Sequence, residues 1–252
     1  MRWTLLALYL VVQCACACEL EFAYLNQPSL PFISASAPDE ALPGVAIELV
    51  RAAAQGIGCK ARFVRRPGKR VLAETAAGMH AGALMYSFSI ERARKLVFPM
   101  AAGKLDAERR MARLNYYLYR PVGGTLDWDG KRLLHVNGAL GVNLGYAVAD
   151  DLRALGARRI EEVGTTVQNL EKMRMGRIDG FAMHDYGVDP LLRLPRYAGI
   201  EKVPPPLSTR DYYLALSPRF VRQEAALAQR LWDAIAQQRE AFIAERLPAY
   251  LE

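Results

Sequence analysis

The sequence predicts an α/β protein of two lobes, each a mostly parallel sheet flanked by helices, joined by a two-strand hinge. Three observations carry that expectation. Short apolar segments alternate with amphipathic helical ones along the chain beyond position 17. The segments Gly78 to Met85 and Gly176 to Met183 share Gly, Gly and Met at the same spacing, each at a helix-to-strand junction, so one unit occurs twice. Tyr116-Tyr117-Leu118 and Tyr212-Tyr213-Leu214 are near-twin strands that bracket the second unit. Two crossings between lobes make a hinge, marked by Tyr117 and Tyr213, and that is a geometry of closure around a ligand.

The elements follow in order. Glu19 to Leu25 is the first strand, and Pro43-Gly44 opens a helix from Val45 to Gln55, with Ile47, Val50, Ala54 and Ile57 at helical spacing and Gly56 and Gly58 stopping it. A strand from Cys59 to Val64, a helix from Arg70 to Ala77, a strand from Ala83 to Ser87 and a short helix opening near Ser89 complete the first unit. Right-handed crossovers place the strand ends before Asn26 and Ser87 on one sheet edge, where ligands of open α/β sheets gather. The second unit reads as a strand from Leu140 to Asn143, a helix from Gly145 to Leu155, a strand from Ile160 to Val163, a helix from Thr166 to Met175 and a strand from Ile178 to Met183. Tyr212 to Leu216 returns as a strand before a long helix with Phe220, Leu227, Leu231, Ala234 and Ile235 on one side. The lobes expected are residues 18–115 with 211–252, and residues 116–210.

The start of the chain speaks for the compartment. Arg2, the apolar run Trp3 to Val12 and the small residues Ala15-Cys16-Ala17 have the layout of a cleaved signal peptide over 1–17. The run meets Glu19 too early for the roughly 20 apolar residues of a membrane span. Cys18 as a new N-terminus also permits lipidation, although Ala15 stands where a lipobox usually has Leu. The expected location is the periplasm. The roughly 235 residues that remain suffice for two lobes with a substantial core and no structural metal. The net charge is +7, but only Lys60 to Arg70 is densely basic, which fits a solvated face that draws anionic solutes better than a nucleic-acid surface. Of four cysteines, Cys18 and Cys59 stay in the mature chain; they lack metal-ligand spacing, and His80, His135 and His184 are scattered. A disulfide is expected rather than zinc, with no cofactor.

Gly44-Val45-Ala46-Ile47-Glu48-Leu49, then Tyr86-Ser87-Phe88-Ser89-Ile90-Glu91-Arg92 and Phe98-Pro99, resemble the bacterial extracellular solute-binding protein family 3, in which a G-x-x-x-D/E-L helix start precedes S-x-[TS]-x-x-R and a closing F-[SP]. Gly141-Val142-Asn143-Leu144-Gly145, Gly176-Arg177-Ile178-Asp179-Gly180 and Tyr213-Leu214-Ala215-Leu216-Ser217 resemble its second-lobe strand, its G-x-[IV]-D-[AG] turn and its returning hinge strand, in order. The resemblance implies a periplasmic-binding-protein-like fold of type II and a monomeric receptor for polar amino acids or similar small solutes. Such a receptor delivers its solute to an ABC permease of the inner membrane and does no chemistry.

It also implies site residues. The motif arginine, Arg92, takes the ligand carboxylate, a role suited to a planar guanidinium fork; the alternative is a surface arginine paired with Glu91 or Glu48. Ser87 and Ser89 fall on the motif's hydroxyl positions, and Ser89 equally suits a helix N-cap. Gly145 heads a helix at the second anion-side contact, but Tyr146 and Ala147 replace the hydroxyl residues that usually follow. The aspartate that holds an amino group in amino-acid receptors falls at His184, so either Asp185 takes that role by a register shift or His184 faces the cleft and the solute need not be an α-amino acid. Tyr24 holds a position from which aromatics stack on ligands, Phe32 belongs to a Pro-Phe pair that also suits the core, and Arg70 follows Gly68, which removes an aromatic found in relatives. In this fold the first two strands are parallel neighbours, which brings Cys18 and Cys59 within bridging distance. Two other classes stay open: an enzyme on the same fold, of the cyclohexadienyl-dehydratase kind, with Asp185 beside His184 as the only acid candidate, and a stand-alone sensory module.

Overall fold

The computed structural model describes residues 18–250, so the signal peptide expected over 1–17 lies outside the described residues. Eight strands hydrogen-bond into one sheet: β1 (Cys18–Leu25), β2 (Cys59–Arg66), β3 (Gly82–Ser87), β4 (Ala112–Pro121), β5 (Leu140–Asn143), β6 (Ile160–Val163), β7 (Gly180–His184) and β8 (Ile200–Leu216). Their order is β6-β5-β7-β4-β8-β3-β1-β2. β1 pairs in parallel with β2 and β3, and β5 with β6 and β7. β4 and β8 run antiparallel to each other and to their outer neighbours β7 and β3. The two parallel sheets expected from the sequence are present, and the ladder through the hinge strands joins them into one. The boundaries expected at 115/116 and 210/211 fall inside this ladder, where Asn115 faces Thr209.

The parallel strands are buried on both faces, which explains their continuous apolar runs: all six residues of β3 are buried, as are Phe22, Ala23 and Tyr24 of β1. The covering helices are α1 (Val45–Gly56), α2 (Gly68–Ala76), α3 (Ile90–Ala93), α4 (Val148–Ala154), α5 (Thr166–Arg174), α6 (Asp185–Leu192), α7 (Pro218–Gln223) and α8 (Ala225–Arg246). α8 packs on α1, and its Trp232 indole donates to the Leu214 carbonyl at 2.9 Å.

Several motif residues turn out to be structural. Gly44 has φ +124°, and a Cβ there would stand 2.3 Å from the Phe32 carbonyl oxygen, so only glycine fits before α1. Glu48 is forked by Arg246 at 3.1 and 2.7 Å, which ties the end of α8 to the start of α1. Asp179 accepts from the Asn137 and Gly138 amides and so fixes the entry to β5. Most of the basic stretch is tied into the fold as well: Arg62 pairs with Glu19, Arg65 donates to the carbonyls of Ser34, Ala35 and Ser36, and Arg66 and Arg70 both pair with Glu74.

Four differences from the sequence expectation have a clear local cause. β8 starts at Ile200, twelve residues before Tyr212, although it carries three prolines that cannot donate to a ladder. The pairing shifts between Val203 and Ser208, so Pro204, Pro205 and Pro206 sit where no ladder bond is required. The second-lobe helix starts at Val148, because Gly145 at φ +80° turns the chain first. β7 runs from Gly180 to His184, two residues later in its start than expected, because Asp179 is engaged with the loop before β5. The last helix is interrupted at Glu224, whose φ of −130° and ψ of 48° separate α7 from α8.

Cys18 and Cys59 are opposite one another in the β1–β2 register and form a disulfide, with 4.5 Å between their Cα atoms. The bridge closes a loop of sequence separation 41 at the sheet's edge. The loop-entropy relation gives it about 4 kcal/mol of stabilisation through the unfolded chain. Denaturant titration of the Cys18→Ser/Cys59→Ser protein is expected to show a loss of that order; a midpoint equal to that of the oxidised parent contradicts it.

Candidate ligand-binding site

The carboxyl ends of β1 and β3 and those of β5 and β7 meet at the hinge from opposite directions, Ser87 opposite Tyr212 and His184 opposite Tyr116. A cavity of about 280 Å³ opens there, walled by Leu25, Ser29 and Phe32 at and beyond the end of β1, by Met85, Ser87 and Arg92 around the end of β3, and by Gly145, Tyr146 and Ala147 after β5. Tyr116 of β4 and Tyr212 of β8 complete the wall, their hydroxyls hydrogen-bonded at 2.5 Å. Burial pushes both phenols above their ordinary range, so they stay neutral.

A bulge shapes the β3 side. Between Tyr86–Tyr213 and Ala83–Ala215 the ladder gains a residue on β3, and Met85 sits there at φ +57°, a left-handed conformation that side chains rarely adopt. The extra residue lets Met85, Tyr86 and Ser87 all reach the cavity wall.

Arg92 is held in place from its own lobe. Its Nη1 donates to the Ser87 carbonyl at 2.9 Å and to the Ser87 hydroxyl at 2.7 Å, and its guanidinium lies 5.4 Å from the centre of the Tyr86 ring. Ser89 caps α3 by accepting from the Arg92 amide at 3.2 Å. Neither carboxylate considered as an alternative partner is free: Glu91 pairs with Lys95 and Glu48 with Arg246. Among the described residues Arg92 makes no ion pair, and it lines the cavity together with a second cation, Lys69.

On the other lobe His184 ends β7 and caps α6. Its Nδ1 accepts from the Gly187 amide at 3.1 Å, so Nε2 carries the proton and donates to Ser29 Oγ at 3.2 Å, across from one lobe to the other. Tyr146 stacks on its ring and Tyr116 meets it edge-on. His184 is fully buried, and burial pushes its pKa down to about 3, which leaves a neutral imidazole behind the cavity wall, packed against its lining residues Tyr116 and Tyr146.

The remaining expected site residues stand elsewhere. Tyr24 is fully buried and outside the cavity wall, its hydroxyl accepting from Arg65 Nε at 3.2 Å. Arg70 turns away to Glu74, and its neighbour Lys69 lines the cavity instead. Asp185 begins α6 outside the wall, its carboxyl raised by burial. Ser29, Lys69 and Met85 were not singled out in the sequence. Tyr116 and Tyr212 were visible as the first tyrosines of the twin strands, but the choice between first and second tyrosine needed the register that buries Tyr213 against Phe98.

No protein-family profile matches the sequence, and no curated protein is similar to it in sequence. Solved structures are similar in shape. The GluR0 ligand-binding core from Nostoc punctiforme in complex with L-glutamate superposes with a TM-score of 0.69 at 15% identity, covering 90% of this chain and 96% of that one. The fold is that of the two-lobed periplasmic binding proteins. An amino acid ABC transporter substrate-binding protein, AbpA of Streptococcus pneumoniae, bound to L-arginine, gives 0.69 at 15% identity, covering 93% and 96%. The ancestral amino acid-binding protein AncCDT-1, described as a precursor of cyclohexadienyl dehydratase, gives 0.67 at 13% identity, covering 93% and 96%. In a two-lobed binding-protein fold the cavity described above occupies the cleft between the lobes.

His184 makes the cleft sensitive to acid. Its pKa in the folded protein lies below the ordinary 6.5, so the unfolded chain takes up the proton first as pH falls. The contribution to stability is complete above about pH 6.5 and is lost progressively toward pH 3, at up to about 1.4 kcal/mol per pH unit. Unfolding of the parent and of His184→Asn, which keeps an acceptor for Gly187, is expected to diverge in pH slope over that window. Identical slopes contradict the assignment.

Proposed function

We propose that the chain is an exported solute-binding protein that captures a small carboxylate-bearing solute between its lobes and presents it to an ABC permease in the inner membrane. Residues 18–115 with 211–252 form one lobe and residues 116–210 the other; the protein works as a periplasmic monomer after cleavage of residues 1–17. No helix among the described residues is long and apolar enough to cross a membrane.

The observation that carries the proposal is Arg92. A guanidinium that lines a largely apolar cleft, is held by Ser87 and makes no ion pair among the described residues is a preorganised receptor for a ligand carboxylate. Ser87 positions it, Ser89 shapes the turn from which it projects, and Gly145 and Tyr146 close on the solute from the other lobe. Asp185 stays outside the wall, which favours binding over acid catalysis as the role of this cleft.

A thermal-shift screen of small carboxylates and amino acids tests the proposal. A ligand at about 100 times its dissociation constant stabilises the fold by about 2.7 kcal/mol. For the best hit, Arg92→Ala is expected to cost about 2–5 kcal/mol of binding with the fold intact by circular dichroism. Unchanged affinity in that variant removes Arg92 from the site.

A further inference from the structure

The wall of the interlobe cleft is unbalanced in charge. Arg92 and Lys69 are its cations, and no aspartate, glutamate, asparagine or glutamine lines it among the described residues. The polar groups that remain are already engaged or are neutral donors. The Ser87 carbonyl and hydroxyl both accept from Arg92, Ser29 Oγ accepts from His184, and the hydroxyls of Tyr116 and Tyr212 bond to each other. His184 gives its acceptor nitrogen to the Gly187 amide and so offers none to the cavity. The Tyr86 hydroxyl, on a residue only 5% exposed, has no protein partner and lies on a side chain that stacks under Arg92. The rest of the wall is aliphatic or aromatic, with Phe32, Ile33, Leu72, Met85, Leu114 and Tyr146.

We infer that the solute is an organic carboxylate with an apolar body and no ammonium group, rather than an α-amino acid. The inference rests on the proposed binding function and narrows its ligand class. A carboxylate meets the Arg92 fork and the Tyr86 hydroxyl proton, with Lys69 adding favourable charge at the rim. An ammonium brings three donors and a positive charge into a space that has no anion to balance them and two cations beside them, so its desolvation goes uncompensated. An apolar body fits the aliphatic and aromatic wall.

The test uses the wild-type protein and two matched pairs of ligands: 3-phenylpropionate against L-phenylalanine, and hexanoate against L-norleucine, each titrated in a calorimeter at pH 7. Each pair shares its carboxylate and carbon chain length and differs in the ammonium group. The acid of at least one pair is expected to bind about 100-fold or more tightly than its amino acid. An amino acid that binds as tightly as its acid, or more tightly, overturns the inference and leaves the solute-binding function standing. If none of the four binds, the inference falls, and a concurrent blank in the wider carboxylate and amino-acid screen removes the function beneath it.

Discussion

The antiparallel ladder between β4 and β8 runs through the middle of the molecule, and the placement of everything else depends on it. These two strands carry the chain between the lobes, and the parallel strands hang from their outer edges, β3 with β1 and β2 on one side, β7 with β5 and β6 on the other. The ladder is reinforced where the lobes meet. Arg113 forks Asp211 at 2.7 and 3.0 Å from directly opposite positions, and Arg210 reaches from β8 to Asp151 of α4. β1 and β3 run opposite to β5 and β7, and their carboxyl ends meet at the hinge from either side, Ser87 opposite Tyr212 and His184 opposite Tyr116, so the loops beyond four strands converge on one cleft, as expected at the carboxyl edges of open α/β sheets.

The electrostatics of the cleft follow from that convergence. Several acidic residues are occupied in holding the frame: Asp151 serves Arg210, Asp179 serves the amides before β5, and Glu48 serves Arg246. What reaches the cavity is Arg92, steadied by Ser87, with Lys69 at the rim and a set of aliphatic side chains and neutral rings. His184, displaced far below its ordinary pKa by burial, adds a hydrogen bond between lobes without adding charge. An anion entering this space gives up water and meets a positive group whose geometry is already fixed.

Much of the fold was legible in the sequence because it rests on local pattern. Runs buried on both faces, such as Gly82–Ser87, read as parallel strands, and Gly44 and Gly176 mark turns at positive φ that other residues resist. The Cys18–Cys59 pairing follows from the parallel neighbours that the family resemblance implies. Less of the site was legible. Arg92, Ser87, Gly145 and Tyr146 do line the cavity, whereas Ser89, His184, Asp185, Tyr24 and Arg70 do not. Their side chains point by register and by competing partners: Arg65 claims the Tyr24 hydroxyl, and Glu74 claims Arg70, leaving Lys69 at the rim. The bulge that places Met85 in the wall, and the proline-bearing start of β8, are properties of pairing between distant strands and leave no local trace.

The central claim is that the Arg92 guanidinium is the anchor for the solute's carboxylate. A crystal structure of the protein with 3-phenylpropionate tests it most directly. The carboxylate is expected between the lobes, its oxygens about 2.7–2.9 Å from the guanidinium nitrogens of Arg92, with the ring against Phe32 and Tyr146. A carboxylate seated away from Arg92, with that side chain still bonded to Ser87 alone, contradicts it.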